Sequence, residues 1–311
     1  MNREDERIEW LRNVLADGPR EGIAFGVGDD AAILHPPAGE SIVSTVDAQV
    51  ENVHFERAWL TFDEIGYRAT MAAASDLAAM GARPFCALSS LILPNQIDDT
   101  SFQQIVAGQK RAAREIDGAI VGGNLARGGE ISISTTWLGR TLRAVCRTGA
   151  RPGDHILVAG ALGLAHVGLL ALQRSAGGEK MAAAISAWKS PRARILEGVR
   201  MAHRAHAAID LSDGLAIDLN RLARSSDVRV DLDPNAIEGE AATIADACSA
   251  LGIIATDAVL YGGEDYSLLI ASPCAIDGFR AIGRVREGVG VYLSGAQIDA
   301  RGFDHFAQSA G

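Results

Sequence analysis

Thr148-Gly-Ala-Arg-Pro-Gly-Asp154 decides how this chain is read. Two glycines and a proline in so short a stretch make a turn-rich connector, and the pattern restarts after it. Upstream, residues 4–16 have helical spacing, with Ile8, Leu11 and Leu15 on one face. Residues 41–46 are a short β-rich run that ends at an aspartate. A helix is expected over 61–79, opened by a capping box of Thr61 and Glu64. Residues 86–93 read as a buried strand stopped by Pro94, 99–116 as a helix, 119–121 as a strand ending at Gly122-Gly123, and 131–140 as an alternating strand. Downstream, the spacing predicts a strand over 155–159, a helix over 164–174, a polar loop at 175–178, a helix near 192–206, a strand at 207–210, a helix over 214–225 and then strands. Helices and strands interleave in both halves, so the class is α/β (α+β) in two domains, 1–148 and 149–311.

The composition agrees with a folded enzyme. The chain has 311 residues, 48% hydrophobic and 22% charged, which excludes a disordered chain, a collagen and a small disulfide scaffold. A net charge of −10 argues against nucleic acid as a partner, and an anionic substrate would need a cation, a metal ion first of all, to screen it. The four cysteines form no CxxC pair, which argues against a zinc site and a secreted disulfide framework. The start MNREDERIEW has no apolar core of a signal peptide, and the uncharged run 156–173 is broken by glycines into strand, turn and helix rather than a membrane span. The expected location is the cytoplasm. The basic stretch from Arg192 to Arg204 reads as a solvated helix face rather than a nucleic-acid or lipid surface.

Several short Gly/Asp clusters carry the chemistry. Gly26-Val-Gly-Asp-Asp-Ala31 matches a dinucleotide loop in outline, but Asp29 and Asp30 would repel a pyrophosphate. The pair suits a hard metal better, and a plain surface turn stays open. Asp47 follows the apolar run 42–46, with Glu51 and His54 downstream; it is either a strand-end ligand or a loop acid. Asp76 lies in the apolar helical stretch Ser75-Asp-Leu-Ala-Ala-Met-Gly81, where a buried acid must be paired, bind a cation or turn to solvent. In Asp210-Leu-Ser-Asp213-Gly-Leu, the acids are ligand candidates, while Ser212 or Asp213 could instead cap the next helix. Gly262-Gly-Glu-Asp265 is a site or a hairpin turn. The chain has no Walker A lysine motif, no kinase HRD or DFG set and no GxSxG elbow, so the combination points to phosphates handled through several divalent metals.

These motifs, in this order, resemble the thiamine-monophosphate kinase family of the AIR-synthase-like ATP-binding superfamily. The resemblance runs from about residue 6 to 306 and is carried by GVGDDAA (26–32), Asp47 with Val50-Glu51 and His54-Phe55, SDLAAMGA (75–82), Gly122-Gly123, the connector from Arg147 to Asp154, IDLSDGL (209–215), GGEDY (262–266) and GFDHF (302–306). It implies an N-terminal sheet domain that forms a barrel-like homodimer, a C-terminal α/β domain and ATP in a cleft between the domains. It implies transfer of the γ-phosphoryl group of ATP to thiamine monophosphate, giving thiamine diphosphate and ADP. It places several Mg²⁺ ions on Asp30, Thr45, Asp47, Asp76, Asp210 and Asp213. ATP contacts fall on Gly123, Asn124, Arg147 and Ser212, and the acceptor on His54, Glu264 and Phe303. Asp47, Arg147 and Asp210 would carry the reaction, Phe303 would stack on the thiamine ring and Glu264 would offset its charge. Two positions depart from the family: Asn124-Leu125 replaces Asp-Thr, and Val46 replaces Thr. A non-catalytic nucleotide- or thiamine-phosphate-binding paralogue, or a kinase of the same fold for another phosphorylated metabolite, are the alternatives. Sister families fit less well. The first cysteine is Cys86, the chain ends Ser309-Ala-Gly311 rather than in Cys, and Asp29-Asp30 stand where AIR synthases have one acid.

Overall fold

Two sheets organise the molecule. The computed structural model describes residues 3–15, 20–27 and 31–303, and it parts into two units: Met1–Leu77 with Ala82–Ala144, and Ala78–Gly81 with Val145–Gly311.

The first unit runs α1 (Arg3–Leu15), β1 (Ile23–Phe25), β2 (Ile33–Leu34), β3 (Ser41–Val50), α2 (Phe62–Ala79), β4 (Arg83–Leu93), α3 (Asp99–Glu115), β5 (Ile120–Arg127) and β6 (Ser132–Thr141). Its main sheet has the order β3-β6-β4-β5, antiparallel except for β4 with β5. The strict alternation of β6 turns Ile133, Thr135 and Trp137 inward. The Trp137 indole donates to Thr70 of α2 at 3.0 Å, and Gln109 of α3 donates to Ser89 of β4 at 2.7 Å, so both helices cover that face. The capping box forms as expected: the Thr61 amide donates to the Glu64 carboxylate at 2.8 Å and the Glu64 amide to the Thr61 hydroxyl at 3.2 Å.

The second unit runs β7 (His155–Ala159), α4 (Leu164–Gln173), α5 (Glu179–Lys189), α6 (Ile195–Met201), β8 (Ala207–Leu211), α7 (Leu215–Ser226), β9 (Arg229–Leu232), α8 (Pro234–Leu251), α9 (Ala255–Tyr261), β10 (Ser267–Ser272), β11 (Arg280–Arg286), β12 (Gly290–Leu293) and β13 (Ala296–Gln297). The sheet order is β13-β12-β9-β11-β7-β10-β8. Ile156, Val158, Ile209 and Leu269 face a core built with α4, α5, α7 and α8, and Leu157, Ala208, Leu268 and Ile270 face a smaller one with Met201 and Ala79. Strands buried on both faces read as continuous apolar runs, as β7, β8 and β10 do.

Four expectations change. Strands β3 and β5 run past Asp47 and past Gly122-Gly123. The region after α7 holds α8 and α9 as well as strands. α8 starts at Asp233, whose side chain accepts from the Asn235 amide at 2.9 Å, with Pro234 in its first turn, and buries Ile237, Ala241, Ile244, Cys248 and Leu251 on one stripe. No element is expected over the residues of α5, and the helix expected near 192–206 is only α6. Arg192 and Arg194 therefore precede it and His203 and Arg204 follow it, so the basic stretch is not one helix face. The run 156–173 is β7, a turn and α4, and among the described residues no single helix is long and apolar enough to cross a membrane.

Candidate active site

In the first unit, Thr45 and Asp47 stand two residues apart on β3 and so share a sheet face. Asp47 is in mid-strand rather than at a strand end, opposite Thr135. Its carboxylate accepts from the Ala48 amide at 2.8 Å, and β3 is an edge strand, which makes an acid there tolerable. Asp76, part-buried in α2, does not simply face solvent: its carboxylate accepts a short hydrogen bond from the Thr45 hydroxyl.

The cross-strand register carries the Asp47 row through Thr135 and Ser89 to Gly123. A Cβ on Gly123 would lie 1.8 Å from the Ser89 carbonyl oxygen, so this approach of β5 to β4 requires glycine. Thr135 Oγ1 and Gln49 Oε1, buried beside Asp47, have no hydrogen-bond partner. The donor set is therefore all oxygen. That suits magnesium, which takes one or two carboxylates and fills its shell with water and phosphate. Among the described residues no three acidic, His or Cys side chains could hold a metal by themselves.

Two residues are not brought together with Asp47. Asn124 pairs with Ser90, and through Ser134 with Ala48; Val46 pairs with Thr136 and so with Leu88. Both departures from the family pattern thus lie on the sheet face that Thr45 and Asp47 do not share. Asp30 and Asp29 lie outside the described residues. His54 sits in the turn after β3, where its Nδ1 accepts from the Val50 amide at 3.1 Å, which leaves the proton on Nε2.

In the second unit the loop after β8 is the hub. The carbonyls of Leu211, Ser212 and Asp213 accept in turn from the amides of Tyr266 at 2.9 Å, Glu264 at 2.7 Å and Phe303 at 3.1 Å. Ser212, Asp213, Glu264 and Phe303 are thereby gathered in one place. Asp210, buried at the end of β8, pairs with Leu268 of β10. The expected cap by Ser212 or Asp213 is not made: Gly214 is the N-cap, and Asp218 reaches back to accept from the amides of Asp213 at 3.0 Å and Gly214 at 3.2 Å. Burial pushes the Asp218 carboxyl above its ordinary range, against the pull of that backbone bond. Arg221 Nη1 bridges Asp213 and Asp218, 2.6 Å from each.

GGEDY is not a hairpin turn. It joins α9 to β10 with Glu264 at φ +69° and Tyr266 at φ +47°, both in the left-handed region. The Asp265 carboxylate turns inward onto the start of α4 and accepts from the amides of Gly163 at 2.5 Å and Ala165 at 2.9 Å. Desolvation outweighs those bonds and pushes its pKa up to about 7. The Trp188 indole donates to the Glu264 carboxylate. Beside them, burial lowers the His166 pKa although Glu264 pulls it up.

Arg147 is exposed on the connector. Its carbonyl accepts from the Ser226 hydroxyl at 3.0 Å, and its guanidinium makes no ion pair among the described residues. The connector is held further by Asp154, which accepts from the Arg151 amide at 2.9 Å and lies 3.0 Å from His206 Nδ1.

Trp188, Asp218 with Arg221, and Asp265 were not singled out from sequence. Asp265 stood inside a quoted motif, and Asp218 with Arg221 has the i, i+3 spacing of a helical pair. Trp188 is 76 residues from Glu264 and left no local signal.

Comparison with known proteins defines the class first: residues 28–141 match the AIR synthase related protein, N-terminal domain. The chain is 33% identical over 289 residues to the thiamine-monophosphate kinase of Aquifex aeolicus (strain VF5), covering 90% of this chain and 92% of that protein. It is 32% identical over 308 residues to that of Archaeoglobus fulgidus, covering 98% of each. The structure of AaThiL complexed with AMPPCP and TMP superposes with a TM-score of 0.81 at 32% identity, covering 98% of this chain and 99% of that one. This chain belongs to the thiamine-monophosphate kinase family.

Proposed function

We propose that the chain transfers the γ-phosphoryl group of ATP to thiamine monophosphate, giving thiamine diphosphate and ADP. The observation that carries this reading is the likeness, over nearly the whole chain, to a family structure complexed with AMPPCP and TMP. An oxygen of the acceptor phosphate attacks the γ-phosphorus, the bond to the β–γ bridging oxygen breaks, and ADP leaves with its electron pair. A phosphate monoester is largely ionised near neutral pH, so no general base is required. The chain's task is to hold two anions in line and offset their charge.

Magnesium, when bound, supplies most of that positive charge. In the first unit we assign Thr45, Asp47 and Asp76 to hold it, with Asp30, and in the second Asp210 and Asp213. Gly123, Asn124, Arg147 and Ser212 are assigned to ATP, Arg147 as the fixed cation. His54 offers its Nε2–H to the acceptor, Phe303 its exposed ring, and Glu264 a negative charge toward the cationic thiazolium. We assign the dimer contacts and part of the metal and ATP contacts to residues 1–148, and the remaining metal, ATP and acceptor contacts to 149–311.

The same reading makes the protein a cytoplasmic homodimer. Ile42, Val46, Leu88 and Ile92 form an exposed apolar row on one face of the first sheet, supporting association through it. The exposed thiols Cys146 and Cys274 suit a reducing compartment.

The test is coupled ADP release with ATP, Mg²⁺ and thiamine monophosphate, with acceptor-free and Asp47→Asn controls. Release that needs the acceptor and disappears in the variant is the expected result. Binding of ATP without release would select a non-catalytic protein, and release with another phosphorylated acceptor alone would select a different kinase.

A further inference from the structure

Trp188 is fully buried in α5 on a stripe with Met181 and Ala184, so the packing of the helix fixes its ring. A buried indole has one N–H and must find an acceptor. This one donates to a carboxylate, Glu264, rather than to a neutral carbonyl. Bonds to an ionised acceptor are shorter and about twice as strong as neutral ones.

The backbone that carries Glu264 is constrained as well. It holds φ +69°, costly for a residue with a Cβ, and its amide is tied to the Ser212 carbonyl at 2.7 Å. A Cβ on Gly262 would come within 2.6 Å of the His166 side chain, so the segment before Glu264 is pressed close to α4. The backbone places the Glu264 side chain, and the buried indole N–H holds its carboxylate. Packing alone would not call for that, since Trp188 could fill its place without bonding to an acid.

We infer that Trp188 is a positioning residue for the phosphoryl acceptor: its indole N–H fixes the Glu264 carboxylate and so sets the preference for an acceptor with a cationic ring. The inference rests on the reading of Glu264 as an acceptor-binding residue. In this role Trp188 acts through Glu264.

Trp188→Phe removes the N–H and keeps an aromatic ring. It should raise KM for thiamine monophosphate about tenfold, the loss expected for one charge-assisted hydrogen bond, and leave KM for ATP within about twofold. Glu264→Gln should also raise the acceptor KM, and adding Trp188→Phe to it should change little, because the partner is already altered. An unchanged acceptor KM in Trp188→Phe, with a raised one in Glu264→Gln, overturns the positioning role and spares the reading of Glu264. An unchanged KM in Glu264→Gln overturns both. Equal rises in both KM values in Trp188→Phe mark a packing role and overturn the inference. The wild-type protein gives a readout independent of that variant's folding: one of its four indole ¹⁵N–¹H resonances should move on adding thiamine monophosphate and shift in Glu264→Gln. Indole spectra indifferent to both overturn the inference.

Discussion

The two units present their candidate site residues in different ways. In the first, Thr45 and Asp47 stand on a strand and Asp76 on a helix, with Thr45 and Asp76 joined side chain to side chain. In the second, Ser212, Asp213, Glu264 and Phe303 lie on segments outside helices and strands and are joined mainly backbone to backbone through three successive carbonyls. Regular elements fix direction through the geometry of the whole sheet. Loops can take conformations a strand cannot, such as the left-handed Glu264 and Tyr266, but need local bonds to hold them. The first arrangement fixes its oxygens through the sheet, and the second holds its residues through local backbone bonds.

Asp47→Asn bears hardest on this contrast. It removes a charge from the oxygen cluster and should lower kcat by about three orders of magnitude, with the thermal midpoint nearly unchanged. A near-normal rate would mean the first unit is not a metal site. Gly123→Ala comes next: its Cβ collides with β4 backbone, so urea unfolding should show a loss of about 2–4 kcal/mol. A loss no larger than that of a surface substitution would show the sheet to be less rigid than the contrast requires.

The second unit should instead respond to pH. Asp265 has a folded pKa of about 7 against about 4 unfolded, so between these values the folded state keeps a proton that the unfolded state has released. Stability therefore falls as pH rises through that window and levels off above it. In Asp265→Asn this slope should become shallower in urea midpoints taken between about pH 5 and 8, leaving the part due to Asp218. A parallel slope in variant and wild type would assign the dependence to another group. The smallest effect belongs to Asn124→Asp: on the face away from Asp47, the added charge should leave the Mg²⁺ concentration for half-maximal activity within about twofold. A requirement severalfold lower would bring residue 124 to the metal against its place in the sheet.

Much of this was written locally in the sequence. The Thr61 and Glu64 capping box, the alternation of β6 and the apolar surroundings of Asp76 are short-range signals, and the structure uses all three. Asp47 hides the extension of β3, because aspartate is depleted in strands; Asp47-Ala-Gln-Val50 does alternate, and pairing with β6 makes it strand. α8 was hidden by its many alanines, which blur an apolar stripe, although Asp233-Pro234 is a start signal. The cap of α7 was misplaced because Asp213-Gly214 looks like a capping pair, while the acid that serves lies a turn further on. The Glu264 and Trp188 contact and the Asp47 to Gly123 row depend on long-range pairing, which no window of sequence contains.

The order in which the chain visits its units has a consequence at the level of the gene. It enters the second for only Ala78–Gly81, returns to the first, and leaves finally at Val145. Ala79 sits in the same core as Met201 and Leu157, and a Cβ on Gly198 would meet the Ala78 carbonyl oxygen at 2.3 Å. A gene fragment that began at codon 145 would lack this four-residue piece of its own unit. The second unit is thus not encoded by any one contiguous stretch of the gene.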